Sequence, residues 1–314
     1  MRQNRHADVL RDRVRLGKVA DQEAWGDLTS HLKFPLKIQV RLSICSLLGM
    51  GAGLTITSWN LLHGMAIPPS STKLSDALKK LHHDANSDVI AIQEVDVHQD
   101  RSGNGNQVRE IAEEIGAPYW AFAPAMYGTP GEKWHGVTEE IVFDNQTPVP
   151  PDAMYGIGIV SKVPVKRWHR INLGKAPLGM PLLVAGEKRP RMIYVSDEPR
   201  SALVAELENG ISVTTTHLSF VPIMNLRQLK KIANWVEQLP GLHVMTGDFN
   251  LPWGIAPKVS GWNDLVKGPT YPSWKANIEF DYIMSKELTS VDVISKIHQH
   301  YGISDHLASS ITLK

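Results

Sequence analysis

Seven sites along the chain set a carboxylate, amide or imidazole at the end of an apolar run. They are Asn60 after "TITSW", Glu94 after "VIAIQ", His217 after "SVTTT", Asp248 and Asn250 after "HVMTG", Asp281 before "YIM", and Asp305-His306 before "LASSITL". Any one alone reads more readily as a turn residue than as a catalyst, because Asn and Asp bond neighbouring backbone and tolerate unusual dihedrals. Together they suggest a pocket, since the strand ends of packed sheets gather at one rim.

The donor types point to one chemistry. Glu94 with Asn60, joined by Asp305, offers hard oxygen ligands that suit Mg2+ or Mn2+ and do not suit zinc. The single cysteine, Cys45, excludes a disulfide framework and an all-cysteine zinc site from one chain. Asp248 and Asn250, two apart on an extended segment, are expected to project to the same side, one taking a proton from water while the other holds that water. His306 and His217 can donate hydrogen bonds to phosphate oxygens as charge accumulates there, and Asp281 can orient His306 and keep it protonated. This is the inventory of metal-assisted phosphoester hydrolysis.

The elements that must position these groups are short. Strands are expected at 54–60, 88–95, 119–125, 156–162, 200–208, 211–218, 280–285, 290–297 and 306–313, with another ending in "GDFN". Helical spacing marks 73–83, 106–116 and 222–238, and a further helix is expected over 7–25. Asn209-Gly210 between 200–208 and 211–218 is the clearest hairpin signal. Many short strands with a few helices imply an α/β sandwich, two packed sheets covered outside by helices. The Gly- and Pro-rich stretch 128–153 reads as a long surface loop.

With 314 residues, 33 basic and 32 acidic, the chain is long enough for a sizeable core and carries no global field to argue for or against nucleic acid. The apolar stretch 42–54 is interrupted and too short to span a bilayer, so no stable membrane insertion is expected. A cytoplasmic location is the expectation, with secretion as the alternative, and a monomer is expected. Residues 1–50 hold none of the chemistry-bearing motifs and read as an N-terminal extension, which leaves 51–314 as the catalytic domain.

"SWN" (58–60), "IQEV" (92–95), "YGIGIVSK" (155–162), "EPRSALVAEL" (198–207), "THL" (216–218), "GDFN" (247–250), "PTYPS" (269–273), "FDYI" (280–283) and "SDH" (304–306) occur in the order and spacing of a known family. The chain resembles the endonuclease/exonuclease/phosphatase superfamily, which includes abasic-site endonucleases, pancreatic-type deoxyribonucleases, neutral sphingomyelinases and inositol polyphosphate phosphatases. The resemblance implies a four-layered α/β sandwich and one or two divalent metals, usually Mg2+. It implies that Asn60 and Glu94 form the metal site with Asp305 as a second metal-site acid. It further implies that Asp248 activates water, that Asn250 orients it, that Asp281 and His306 pair, and that His217 contacts phosphate. Tyr155, which opens "YGIGIVSK", joins the catalytic set, and Arg200 is given a structural role.

Glu279 and Phe280 stand where abasic-site endonucleases carry Arg and Ile, which lowers the DNA-repair reading. Arg101 and Gln107 are candidates to reach a substrate phosphate. Trp253 and Trp274 follow active-site motifs and could stack on a substrate or belong to the core. A phosphodiesterase acting on a nucleic acid, lipid or sugar phosphate is the function expected. A DNA endonuclease and a catalytically silent binder of phosphorylated ligands are the alternatives.

Overall fold

A computed structural model describes residues 53–184 and 191–314. The helix expected over 7–25 and the extension 1–50 lie outside the described residues. Two sheets dominate. The larger runs β15 (Val293–Gln299), β16 (Ala308–Leu313), β1, β2, β6, β3, β4, with β5 beside β3, and the second runs β13 (Asn263–Asp264), β14, β12, β11, β10, β7. The central members are β1 (Thr55–Asn60), β2 (Val89–Val97) and β6 (Met154–Ser161) of the larger sheet, and β10 (Arg200–Leu207), β11 (Ile211–His217), β12 (Leu242–Asp248) and β14 (Asp281–Ser285) of the second. A separate hairpin, β8 (Met180–Val184) with β9 (Arg191–Val195), is inserted between β7 (Val165–Gly174) and β10.

Helices cover both outer faces. The first pair is α1 (Leu74–Ala85) and α2 (Gln107–Ile115). The apolar stripe of α1, Ala77, Leu78 and Leu81, is buried in one cluster with Trp59, Ile90 and Ile92 of the larger sheet. Helix α2 starts where Asn106 Oδ1 accepts from Arg109 N at 3.1 Å and stops at Gly116 in the left-handed conformation, φ 68°. On the far side, α3 (Met224–Val236) and α4 (Ile255–Ser260) enclose Leu229, Ile232, Val236 and Ala256 with Met245, Phe249 and Tyr282. Ile90 and Ile92 face the helices, so the intervening Ala91 and Gln93 must face the other sheet. Gln93 Nε2 donates across that seam to Thr215 Oγ1 at 2.9 Å. This is the four-layered sandwich expected.

Several expectations about local structure need correction. The 128–153 stretch carries two short strands, β4 (Trp134–Gly136) and β5 (Phe143–Asp144), both paired with β3 (Tyr119–Gly128). Residues Ser290–Asp292 form a 3-10 turn, and the strand begins only at Val293. The hairpin between β10 and β11 also takes Glu208 into its turn: Leu207 closes β10, and Gly210 sits at φ 82°. Its pairs are Ala202 with Thr216 and Glu206 with Ser212. Since a one-residue slip would reverse every side chain, this three-residue turn decides which face His217 takes.

Candidate active site

Parallel pairing of β1 with β2 and of β11 with β12 brings the C-terminal ends of four strands to one end of the sandwich. Asn60, Glu94, His217 and Asp248 stand there. Strand β14 runs antiparallel to β12 and begins at this end, so that Asp281 pairs with Asp248.

Two backbone features aim the carboxylates. Gly247 has φ 139°, and a Cβ there would lie 1.9 Å from Thr216 O, so only glycine lets β12 close on β11 just before Asp248. Register shifts between Ile92 and Val95 where β2 meets β6, and Glu94 in that bulge takes φ 54°. A left-handed non-glycine residue costs about 1–3 kcal/mol and persists only where its surroundings enforce it. The bulge turns the Glu94 side chain toward the rim.

Asp248 Oδ2 is the point of convergence. Asn60 Nδ2 donates to it at 3.1 Å, His217 Nε2 lies 3.5 Å away and His306 Nε2 3.7 Å away. The same Asn60 Nδ2 donates to Glu94 Oε1 at 2.9 Å, and Ser304 Oγ donates to Asn60 O at 2.6 Å. His306 Nδ1 is 2.7 Å from Asp281 Oδ2. Asp248, Asp281 and His306 each offer a ligand atom within 4.8 Å of the others and could hold a metal ion. Asp305 lies close enough for its charge to act on both Glu94 and His306.

Asn250 arrives by a route other than the one expected. The extended chain ends at Asp248, Phe249 N bonds Phe280 O at 2.9 Å, and Asn250 turns to φ 48°. Its backbone N donates to Asp248 Oδ1 at 2.9 Å, while its amide nitrogen lies 3.2 Å from His217 Nε2 and donates to Leu218 O at 3.0 Å. Asp248 and Asn250 therefore reach the pocket on different sides of a turn.

The protonation states follow from burial and neighbours. Burial pushes Glu94 up to about 7 against the opposing hydrogen bond from Asn60. Burial likewise raises Asp248 to about 6, with His306 pulling down and Asp281 pushing up. Burial opposes charge on His306, yet Asp281, Asp248 and Asp305 outweigh it and hold the imidazolium up to about 10. His217 is held well below the usual histidine range, by burial first and then by Arg200 and His306. Burial, then the Glu94 charge, keeps the Tyr155 phenol protonated well above its ordinary value.

Arg200 does more than the structural role expected of it. It is buried, its Nη1 lies 3.0 Å from His217 Nδ1, and its Nη2 lies 3.4 Å from Glu198 Oε2. Arginine can only donate. Nδ1 of the neutral ring therefore accepts, and the ring proton sits on Nε2, facing Asp248 Oδ2. The hairpin was the available signal: a strand opening on Arg200 and returning through His217 must bring the two together. Arg200→Met should raise the His217 pKa, read by following its imidazole resonance through a pH titration. A His217 pKa that stays in place would deny the contact any electrostatic role.

Arg101 and Gln107 do not stand free to meet a phosphate. Arg101 grips buried Asp96 with two 2.8 Å bonds, its guanidinium 5.7 Å from the Tyr155 ring centre. Gln107 is buried, its Oε1 accepting from Asp96 N at 2.8 Å and its Nε2 donating to His63 O at 2.8 Å. Trp253 and Trp274 are 69% and 56% exposed, so neither belongs to the core.

The donor set fits a hard divalent cation. Among the described residues, Asp281 Oδ1 is buried with no hydrogen-bond partner, and Glu94, Asp248, Asp281 and Asp305 crowd one pocket with no lysine hydrogen-bonded to any of them. Such oxygen-rich crowding is what Mg2+ or Mn2+ relieves.

Known proteins share the fold. A search of curated proteins returns no match. Among solved structures, the chain is similar to an endonuclease/exonuclease/phosphatase from Bacteroides vulgatus (15% identity, TM-score 0.55, covering 84% of this chain and 99% of that one). It is similar to an endonuclease/exonuclease/phosphatase from Beutenbergia cavernae (18%, TM-score 0.53, 84% and 72%). A third is D. rerio TDP2 complexed with single strand DNA product (15%, TM-score 0.50, 84% and 100%). At these identities the likeness is one of fold. The model of the Endonuclease/Exonuclease/phosphatase family matches residues 57–306, which spans every site residue from Asn60 to His306. The chain belongs to the endonuclease/exonuclease/phosphatase family.

Proposed function

We propose that the protein is a divalent-metal-dependent phosphodiesterase in which Asp248 is the general base. The observation that carries this reading is the convergence of Asn60, His217 and His306 on Asp248 Oδ2, within 3.1–3.7 Å. With burial raising it to about 6, Asp248 is anionic at neutral pH yet basic enough to accept a proton from water, the match between pKa and working pH that general bases need.

Around that base the other groups divide the work. His306, kept cationic by Asp281, and the Nε2–H of neutral His217 donate to the non-bridging oxygens as negative charge grows there. Asn250 fixes the water, and the protonated Tyr155 phenol supplies a further donor. Asn60, Glu94 and Asp305 are the residues to hold Mg2+ or Mn2+, with Asn60 positioning the Glu94 carboxylate. When bound, the cation neutralises phosphate charge and polarises the scissile centre. Attack forms the new P–O bond as Asp248 takes the water proton, and the bond to the leaving oxygen breaks with its electron pair passing to that oxygen, which takes a proton from solvent to leave as the alcohol.

Hydrolysis of bis-p-nitrophenyl phosphate tests the proposal. Release should fall to background in EDTA and return with excess Mg2+ or Mn2+. Equal rates with and without EDTA would reject metal dependence. No release under any condition, alongside measurable binding of phosphorylated ligands, would favour the silent reading.

A further inference from the structure

Strand β2 exchanges its two faces at Glu94. Ile90 and Ile92 are buried in the helix-side cluster, and so are Val95 and Val97. Even positions face the helices before the bulge and odd positions after it, as one inserted residue requires. Asp96 is thereby turned toward the second sheet. Tyr155 pairs with Asp96 in register, while its neighbour Met154 belongs to the helix-side cluster, so the Asp96 and Tyr155 side chains share one face.

A carboxylate buried there needs a partner. Arg101 supplies it through two 2.8 Å bonds, Nε to Oδ2 and Nη2 to Oδ1. The 3-10 turn Asp100–Ser102 that carries Arg101 is anchored by buried Gln99. Gln99 O accepts from Asn104 N at 2.9 Å, its Nε2 donates to Gly128 O at 2.7 Å and to Met154 O at 3.2 Å, and its Oε1 accepts from Thr129 Oγ1 at 2.8 Å. The guanidinium is thus held at both ends of its side chain, 5.7 Å from the centre of the Tyr155 ring. Gln107 holds the Asp96 backbone and reaches His63 O just past Asn60, so one hub braces the Tyr155 and Asn60 sides of the pocket together.

Stability alone is a poor reason for such a pair. Replacing a buried ion pair by apolar side chains of similar size is often neutral or stabilising, because desolvation offsets the attraction between the charges. What the pair supplies is direction. The planar fork of arginine meets a carboxylate in a fixed geometry, and here that geometry sets a guanidinium against the Tyr155 ring. Among the described residues no hydrogen bond holds the Tyr155 hydroxyl, so the packing of its ring decides where that hydroxyl points.

We infer that Arg101 is a positioning residue: through its fork on Asp96 it fixes the tilt of the Tyr155 ring, and with it the direction in which the phenol donates to a phosphate oxygen. The kinetic consequence rests on the phosphodiesterase reading, whereas the placement of the ring does not. Arg101→Lys keeps the charge and loses the fork. The pair Arg101→Met/Asp96→Asn removes both charges and leaves no unpaired carboxylate in the interior. Each should lower kcat on bis-p-nitrophenyl phosphate by about tenfold with KM unchanged, the mark of a contact made in the transition state. In a Tyr155→Phe background, which by itself should cost about tenfold, neither change should lower kcat further. A loss that multiplies in that background would overturn the proposal, as would wild-type kcat in both variants. If the wild-type chain releases nothing with Mg2+ or Mn2+, the phosphodiesterase reading fails and crystal structures of the two variants decide alone. A displaced Tyr155 ring would then support the proposal, and a ring in its wild-type place would overturn it.

Discussion

Asp248→Asn should lower the rate of diester hydrolysis by about a hundredfold or more, because it removes the proton acceptor and leaves the donors around it. The shape is almost conserved: the carboxamide oxygen can still accept from Asn250 N, as Oδ1 does at 2.9 Å. Where Oδ2 now accepts from Asn60 at 3.1 Å, however, an amide NH2 would face another donor. Burial raises the Asp248 pKa to about 6, so its charge is held at a cost to folding, and a neutral isostere should melt at the same temperature or higher. A slow enzyme with an undiminished melting temperature is the expected signature. Near wild-type turnover would remove Asp248 from the role of base.

His306→Ala should be damaging in two ways. Activity should fall by about a hundredfold or more through loss of the donor. Stability should fall by about 3–5 kcal/mol, because Asp281 would remain buried as an unpaired carboxylate whose Oδ1 already lacks a partner. The pH dependence has a defined sign. His306 is raised from 6.5 to about 10, so its contribution to stability is fully present below about 6.5 and is lost as pH rises toward 10. Urea melts of the metal-free wild type should therefore weaken over that alkaline window, whereas the variant should lack this component. Parallel curves for the two proteins would show that the pair does not stabilise the fold.

The polar strand ends were legible because each interrupts an apolar run, and Asn60, Glu94, His217, Asp248, Asp281 and His306 do meet at one rim. What stayed hidden depends on where backbone leaves the regular ladder. The turn at Asn250 has no sequence signature, since the extended geometry assumed for "GDFN" predicts one shared face. Strand β7 was missed because much of it faces solvent with polar residues, which leaves no buried run to recognise. The hairpin signal brings Arg200 near His217, but that both side chains take the same face follows only from the register.

Asn60 springs from one sheet and grips carboxylates of both, Glu94 beside it and Asp248 across the seam. A sideways slip of the two layers would open the longer of these bonds while each sheet kept its own ladder intact. Misplacement by about 1 Å can cost about a hundredfold in rate. Turnover is thus a gauge of interlayer alignment, and gentle heating should extinguish it while far-ultraviolet dichroism still reports a folded sandwich.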